Sequence, residues 1–228
     1  MKYAVSKSAL NWGNVDCVVL DMDGTLLDLH FDNQVWKDLL PRRVAERSGA
    51  QLADVGPQVE ATLNATRGTL DFYCLDHWSR EFGMSMSALE RELTHLVRVR
   101  EGASHFLNAL VNANIRLLLA TNAHRDSLSH KLERTGIEVH FDDIYSAHDF
   151  GYCKEEDAFW DALRNAHEFD PARTLFVDDN HAVLDAAARF GVAYLFGIKR
   201  PSSRGADLSH DRYHCLESFD EIMPHAPV

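Results

Sequence analysis

The chain has 228 residues, and its apolar share of 46% is enough for a sizeable globular core. Its formal net charge of −12 repels nucleic-acid backbones and anionic membranes, so neither is expected as a partner. No apolar run approaches the roughly 18 residues of a membrane-spanning helix, and no signal-peptide pattern opens the chain. These features predict a cytoplasmic protein.

The cysteines also point to a reducing compartment. Cys17, Cys74, Cys153 and Cys215 are far apart and form no C-x-x-C pair, so we expect neither disulfides nor a structural zinc site. The 13 histidines are scattered without an H-E-x-x-H pattern, and most are expected to be ordinary surface or core residues.

The first predicted element is a strand at residues 15–22, where a continuous apolar run suits a parallel sheet buried on both faces. From residue 28 to about residue 99 no strand pattern follows, so we interpret this stretch as a helical cap inserted above the site. Its helix-like patterns occupy residues 33–48, 71–82 and 87–99. The expected domains are residues 1–30 with 100–228 for the core, and residues 31–99 for the cap.

After the insertion, helix and strand patterns alternate, which is typical of a doubly wound parallel α/β sheet. In such a sheet, ligands bind at the carboxyl ends of the strands. In chain order the predicted elements are a helix at 104–114, a strand at 115–121, a helix at 126–134, a weak strand at 143–147, a helix at 155–167, a strand at 174–178, a helix at 182–190 and a strand at 193–198.

The motif D-M-D-G-T follows the first apolar run. Asp21 and Asp23 lie two residues apart at the strand end, and Gly24 permits a sharp turn. Carboxylates this close repel each other, so a cation is expected between them, and Mg²⁺ prefers such oxygen ligands. The alternative is a solvated Asp-Gly turn at a strand end.

Three further polar clusters follow later apolar runs. Thr121 and Asn122 offer a hydroxyl and backbone N–H groups for phosphate oxygens, or they are ordinary helix caps. Lys154 can neutralise a phosphoryl group, or it is a surface lysine. Asp178 and Asp179 can complete a metal site, or one of them caps a helix. Four unrelated caps have no reason to appear in this order along successive strands, so we favour one shared site.

The order D-x-D-G-T, Thr, Lys and Asp-Asp resembles the haloacid dehalogenase-like (HAD) hydrolase superfamily, and the resemblance covers the whole chain. It implies a Rossmann-like parallel core with a mobile helical cap. A closer similarity is to the bacterial GMP/IMP 5′-nucleotidase branch of that superfamily. It is carried by the strings LLDMDGTLLDLHFDN, LDFYCLDHWS, LLLATNAH, FGYCKE and TLFVDDNHAVLDAAARFG.

The resemblance implies a phosphatase mechanism for the motif residues. Asp21 would attack phosphorus to form an aspartyl-phosphate, and Asp23 would protonate the leaving oxygen and then activate water. Thr121, the Asn122 amide and Lys154 would stabilise the phosphoryl oxygens.

The implied cofactor is Mg²⁺, held by Asp21, Asp179 and the backbone carbonyl of Asp23. Asp178 stands where many members of the superfamily have glycine, so which of the two adjacent aspartates binds the metal is left open. We favour Asp179, with Asp178 behind the ligands.

The implied substrate is a small phosphorylated metabolite, and the closer similarity suggests a purine nucleoside 5′-monophosphate. Asn33, Trp36 and Tyr73 in the insertion are candidates for reading it, because an aromatic ring can stack on a purine and a polar group can read its edge. The alternative is that the aromatic residues of the insertion form its own small core.

Other functions remain open at the level of sequence. A haloacid dehalogenase also uses an aspartate nucleophile, but it has no need of the acid–base residue Asp23. A sugar-phosphate phosphatase or a β-phosphoglucomutase-like phosphomutase shares the core motifs. A non-catalytic, phospho-accepting receiver module has similar residues in a different order, with the acid pair first and the lysine last. The oligomeric state is not predicted.

Overall fold

The computed structural model describes residues 10–224, and its six strands form one parallel sheet in the order β3-β2-β1-β4-β5-β6. The predicted doubly wound α/β class is confirmed. The predicted strands are present but shorter. The edge strand β6 was not predicted, because a strand of three residues is too short to show a hydrophobic pattern. The strands are β1 (Cys17–Leu20), β2 (Arg116–Thr121), β3 (Asp143–Ser146), β4 (Thr174–Val177), β5 (Tyr194–Ile198) and β6 (His214–Leu216).

Residues 28–99, here called the inserted segment, contain helices and turns between β1 and β2. Its helices are α1 (His30–Gln34), which runs through a π-helical turn (Val35–Leu39) into α2 (Leu40–Ser48), then α3 (Leu52–Ala65), α4 (Leu75–Phe82) and α5 (Met86–Glu92).

Two features of the inserted segment differ from prediction. Helix α3 was not predicted, since Gly56 and Pro57 lie inside it and only Val55 and Val59 are buried. The helix predicted to reach residue 99 ends at Glu92.

The two ends of the inserted segment lie side by side. Leu27 forms an antiparallel bridge with Val99, and N–H of Asp28 donates to the carbonyl of Arg98 at 3.0 Å. The segment therefore leaves and re-enters the core at one place.

The helices that follow cover the two faces of the sheet. They are α6 (Ala103–Asn112), α7 (Arg125–Thr135), α8 (Ala147–Phe150), α9 (Asp157–Ala166) and α10 (His181–Phe190). Along β1, Val18 and Leu20 belong to the apolar cluster under α6 and α7, whereas Cys17 and Val19 belong to the cluster under α9 and α10. Burial on both faces explains why β1 reads as an unbroken apolar run.

Among residues 10–224, no helix is both long enough and apolar enough to span a bilayer.

Candidate active site

Lys154 joins two buried carboxylates at the carboxyl end of the sheet. Its Nζ lies 2.5 Å from Oδ1 of Asp21 and 2.7 Å from Oδ2 of Asp178, and it also donates to the carbonyl of Ala120 at 3.1 Å. Asp21 follows β1 and Asp178 follows β4, as predicted from the ends of their apolar runs. Lys154 does not directly follow a strand, because α8 separates it from β3.

Burial controls the charge state of this cluster. Desolvation raises the pKa of Asp21, although Lys154 opposes the shift, and desolvation likewise raises the pKa of Asp178 to about 7. Burial by itself would lower the pKa of Lys154, but Asp178 and Asp21 raise it, so the lysine stays charged. One buried cation is therefore shared by two carboxyl groups whose ionised forms are poorly solvated.

The adjacent Asp179 adds a third carboxylate to the site. Oxygen atoms of Asp21, Asp178 and Asp179 lie within 4.8 Å of one another. Burial, with Asp21 and Asp178 nearby, raises the pKa of Asp179. Gly24 has φ +87°, and a Cβ at that position would lie 2.4 Å from Oδ2 of Asp179, so the turn leaves room only for a glycine.

This arrangement fits a hard divalent cation such as Mg²⁺. Three carboxylates converge, and each offers an oxygen atom as a ligand. Both oxygens of Asp178 are engaged, Oδ2 by Lys154 and Oδ1 by N–H of Asn180 at 2.8 Å. The oxygens of Asp179 are the freer ligands.

The side chain of Asp23 does not belong to this carboxylate trio. Its Oδ1 lies 2.7 Å from Nζ of Lys131, which also lies 2.7 Å from Oδ1 of Asp32. Lys131 is 1% exposed, and Glu90 adds negative charge beside it. The sequence also predicts that the backbone carbonyl of Asp23 binds the metal, and this stays a prediction.

Two of the three carboxylates around Lys131, Asp32 and Glu90, belong to the inserted segment. Desolvation and the nearby Asp23 raise the pKa of Asp32 to about 7, and desolvation raises the pKa of Glu90. Lys131 therefore links the inserted segment to Asp23, the core residue predicted to transfer protons.

A hydrogen-bond network fixes the loop that carries Lys154. Asn122 accepts from N–H of Lys154 at 2.8 Å through Oδ1 and donates to Oε2 of Glu155 at 2.9 Å through Nδ2. Oε1 of Glu155 accepts from the hydroxyl of Tyr73 at 2.7 Å and from Nδ2 of Asn180 at 3.1 Å. The Asn122 side chain therefore positions Lys154, whereas the prediction concerned its backbone amide.

Thr121 ends β2 at the same edge of the sheet and is buried. Its Oγ1 accepts from N–H of Ala123 at 3.0 Å, which leaves the hydroxyl proton to be donated elsewhere. The predicted role of Thr121 in binding phosphate is compatible with this geometry.

A cavity of about 910 Å³ opens above these residues, within the size range of small-molecule sites. Of the three residues predicted to read the substrate, Trp36 and Tyr73 line the cavity and Asn33 does not, and their role stays a prediction. Its wall joins the strand ends to the inserted segment and includes Asp21, Asp23, Asp32, Trp36, Leu63, Arg67, Phe72, Tyr73, Thr121, Lys131, Lys154 and Asp179.

The sequence also offered Glu155 as a residue that orients Lys154 or starts a helix, and in the structure it bonds to Asn122 beside Lys154. Sequence reasoning missed Lys131 and Asp32. Each looks like an ordinary surface charge in its helix or loop, and no spacing relative to another motif marks it. Only their burial and their partners in other elements identify them.

Comparisons of the sequence with a family model and with known proteins agree with each other. A model described as haloacid dehalogenase-like hydrolase matches residues 15–191. The chain is 39% identical over 213 residues to a protein of Escherichia coli strain K12 named GMP/IMP nucleotidase YrfG, covering 93% of this chain and 96% of that protein. The protein of the same name from Shigella flexneri matches with the same identity and coverage.

Solved structures share the fold at low identity. A HAD phosphatase from Thermococcus onnurineus has a TM-score of 0.78 at 16% identity, over 91% of this chain and 96% of that one. An L-2-haloacid dehalogenase from Xanthobacter autotrophicus has a TM-score of 0.54 at 18% identity, over 83% and 79% of the two chains. Because a phosphatase and a dehalogenase both match, this likeness shows the fold alone.

Proposed function

The chain belongs to the haloacid dehalogenase-like hydrolase family, and from this premise we propose that it is a Mg²⁺-dependent phosphatase that hydrolyses purine nucleoside 5′-monophosphates. The reaction proceeds through an aspartyl-phosphate on Asp21. The relatives named GMP/IMP nucleotidase, at 39% identity, support this substrate class.

The observation that carries the proposal is the state of Asp21. The residue lines the cavity, one of its oxygens is held by Lys154, and the other, Oδ2, is buried and accepts no hydrogen bond from residues 10–224. A buried carboxylate oxygen with no donor is poorly solvated, so it gains from bonding to an electrophilic phosphorus atom.

In the proposed reaction, one set of side chains transfers protons and another stabilises the charge on the phosphoryl group. Asp21 attacks phosphorus while Asp23 gives its proton to the departing ester oxygen. Asp23 then takes a proton from water, which attacks the aspartyl-phosphate and releases inorganic phosphate and free Asp21. Lys131 holds Oδ1 of Asp23, which leaves Oδ2 for these transfers, and Lys154 supplies positive charge beside the phosphoryl oxygens.

Asp21 and Asp179 are the residues proposed to hold Mg²⁺, with the backbone carbonyl of Asp23, while Asp178 orients Lys154. When bound, the ion offsets the negative charge of the carboxylates and of the phosphate dianion. The carboxylates of Asp21, Asp178 and Asp179 lie so close together that a cation stabilises them whichever phosphate ester is bound.

The upper cavity wall has features that suit a nucleotide. Trp36 and Phe72 offer aromatic faces for a purine, and Lys37 and Arg67 place positive charge on the wall. We propose that residues 31–99 of the inserted segment act as a cap that selects the substrate and excludes water.

The direct experiment is phosphate release from a panel of GMP, IMP, AMP, UMP, glucose 6-phosphate and β-glucose 1-phosphate, with Mg²⁺ and with EDTA. We expect kcat/KM for GMP and IMP to exceed that for the sugar phosphates by at least about 100-fold, since losing the base removes its stacking and edge contacts. EDTA should abolish the activity.

Three results would contradict parts of this proposal. Equal rates on all esters would leave a general phosphatase. Sugar isomers formed without phosphate release would indicate a phosphomutase. Full activity in EDTA would remove the metal from the mechanism.

A further inference from the structure

Cys74, His124 and His148 converge outside the carboxylate site. A sulfur atom and two ring nitrogens, one ligand atom from each residue, lie within 4.8 Å of one another. Cys74 precedes α4 in the inserted segment, His124 lies in the turn after β2, and His148 lies on α8. We propose that these residues form a second metal site for a soft divalent cation of the Zn²⁺ class.

The donor set decides the class of ion. A thiolate and two imidazoles suit Zn²⁺ or Co²⁺, whereas Mg²⁺ requires oxygen ligands. Oδ2 of Asp76 lies 3.8 Å from Nε2 of His124, and a rotation of this exposed side chain would bring it to the ion as a fourth ligand. Small side-chain movements bring four such groups to the tetrahedral geometry and short bonds that zinc requires.

The histidines are suited to bind a cation. Nε2 of His148 is buried with no hydrogen-bond partner among the described residues, which is costly for a polar atom unless something binds it. The two rings meet edge to face, with centroids 5.0 Å apart.

Cys74 is the residue that caps the N-terminal end of α4. Its Sγ accepts from N–H of His77 at 3.4 Å, at the N-terminal end of α4, where the helix dipole stabilises negative charge.

Some existing contacts compete with binding. Nδ1 of His124 accepts from N–H of Asp126 at 3.3 Å, and coordination through either ring nitrogen ends that contact. The backbone of Tyr73 and of Asn122 also lies within hydrogen-bonding reach of the His148 ring.

The position of the site gives the ion a structural effect. Cys74 and Asp76 belong to the inserted segment, whereas His124 and His148 belong to the core. An ion bound by all four residues links the two parts beside Asn122, and it restrains movement of the inserted segment over the cavity.

The test is a Co²⁺ titration of the untagged full-length chain in excess Mg²⁺, which occupies the carboxylate site. We expect one equivalent of Co²⁺ to produce a thiolate-to-cobalt charge-transfer absorption band that Zn²⁺ abolishes. Hydrogen exchange at the amides of α4 should slow in the presence of Zn²⁺. Neither readout depends on catalytic activity, so the result is independent of the proposed function.

Three variants locate the site. Cys74→Ser should lose the charge-transfer band, and His148→Gln should weaken Co²⁺ binding by at least about 10-fold. Cys215→Ser is the matched control, because Cys215 is the other half-buried cysteine and also lies near a histidine, 3.8 Å from Nε2 of His181. Thermal melts show whether each variant is folded, and His148→Gln, which keeps the cysteine, serves as the second probe if Cys74→Ser does not fold.

The proposal is overturned if wild-type protein shows no stoichiometric charge-transfer band. It is also overturned if the band survives in Cys74→Ser or disappears in Cys215→Ser.

Discussion

Asp21 and Asp16 lie at opposite ends of the same strand and show how position changes a carboxylate. Asp16 is exposed before β1 and pairs with Arg173, which lowers its pKa. Asp21 is 5% exposed after β1, and burial raises its pKa. The same residue type is a surface ion-pair partner at one end and a candidate nucleophile at the other.

The variant Asp21→Asn should lower kcat by roughly 10³-fold or more, because an amide cannot form the covalent intermediate. The fold should survive, since asparagine has nearly the same shape and Lys154 keeps its bonds to Asp178 and Ala120. Phosphate release and a thermal melt measure the two effects.

Asp16→Asn is the control for this variant and should keep the wild-type rate, because its ion pair is exposed and remote from the cavity. Near-normal turnover in Asp21→Asn would remove the nucleophile assignment.

Gly24 carries two separate constraints, a positive φ and contact with Asp179. Gly24→Ala should cost about 1–3 kcal/mol in unfolding free energy from backbone strain, and it should also displace Asp179. We therefore expect the Mg²⁺ concentration needed for half-maximal activity to rise at least about 10-fold.

Gly49→Ala separates the two effects. Gly49 also has a positive φ, +70°, but a Cβ there meets nothing within 4 Å. This variant should show the loss of stability without the change in Mg²⁺ requirement. Equal Mg²⁺ requirements in the two variants would contradict the role given to the Gly24–Asp179 contact.

At the scale of elements, α7 is the helix that holds the inserted segment. Three neighbouring residues on it bond to that segment: Ser127 to Glu90 at 3.1 Å, His130 to Thr94 at 2.7 Å, and Lys131 to Asp32. Spacings of three and four residues place them on one face of the helix. The docking of the inserted segment is therefore polar, and it should respond to pH.

His130 sets the direction in which stability changes with pH. Burial, followed by the charges of Arg91 and Lys131, lowers its pKa in the folded protein. Below the unfolded value of about 6.5 the unfolded chain therefore binds a proton that the folded chain does not, so stability is lost as pH falls. In His130→Gln the fall in unfolding free energy between pH 7 and pH 5 should be smaller than in the wild type, as measured by urea denaturation.

His105→Gln is the matched control, because His105 is exposed on α6. Its pH dependence should follow the wild type. The assignment fails if His130→Gln and the wild type lose stability in parallel as the pH is lowered.

At the scale of the whole molecule, folding concentrates negative charge. The chain has a net charge of −12, and three carboxylates meet at the carboxyl end of the sheet, where Lys154 is the one cation of residues 10–224 that bonds to them. Binding a divalent cation to the folded state alone should therefore stabilise the protein.

We expect Mg²⁺ at about 100 times its Kd to raise Tm by roughly 5–10 °C relative to EDTA, from about 2.7 kcal/mol of binding linkage. Asp179→Asn should remove most of this increase. An unchanged Tm in wild-type protein with and without Mg²⁺ would contradict the metal assignment, whatever the activity.

Much of the core could be predicted from local pattern. Strands buried on both faces appear as unbroken apolar runs, and the helices between them show one apolar face, so the class and most elements followed from the sequence. The edge strand β6 and helix α3 did not, because one is too short and the other contains Gly56 and Pro57. Their structure depends on neighbours that the chain meets only after folding.

The sequence by itself determined which residues lie at the strand ends, because Asp21, Thr121 and Asp178–Asp179 each follow an apolar run directly. The tertiary structure decided what these residues contact. In the folded chain Asp23 pairs with Lys131, both oxygens of Asp178 accept hydrogen bonds, and Cys74 lies beside two histidines of the core. The physical reason is that periodicity encodes burial within one element, whereas ion pairs and metal ligands depend on distances between elements far apart in the chain.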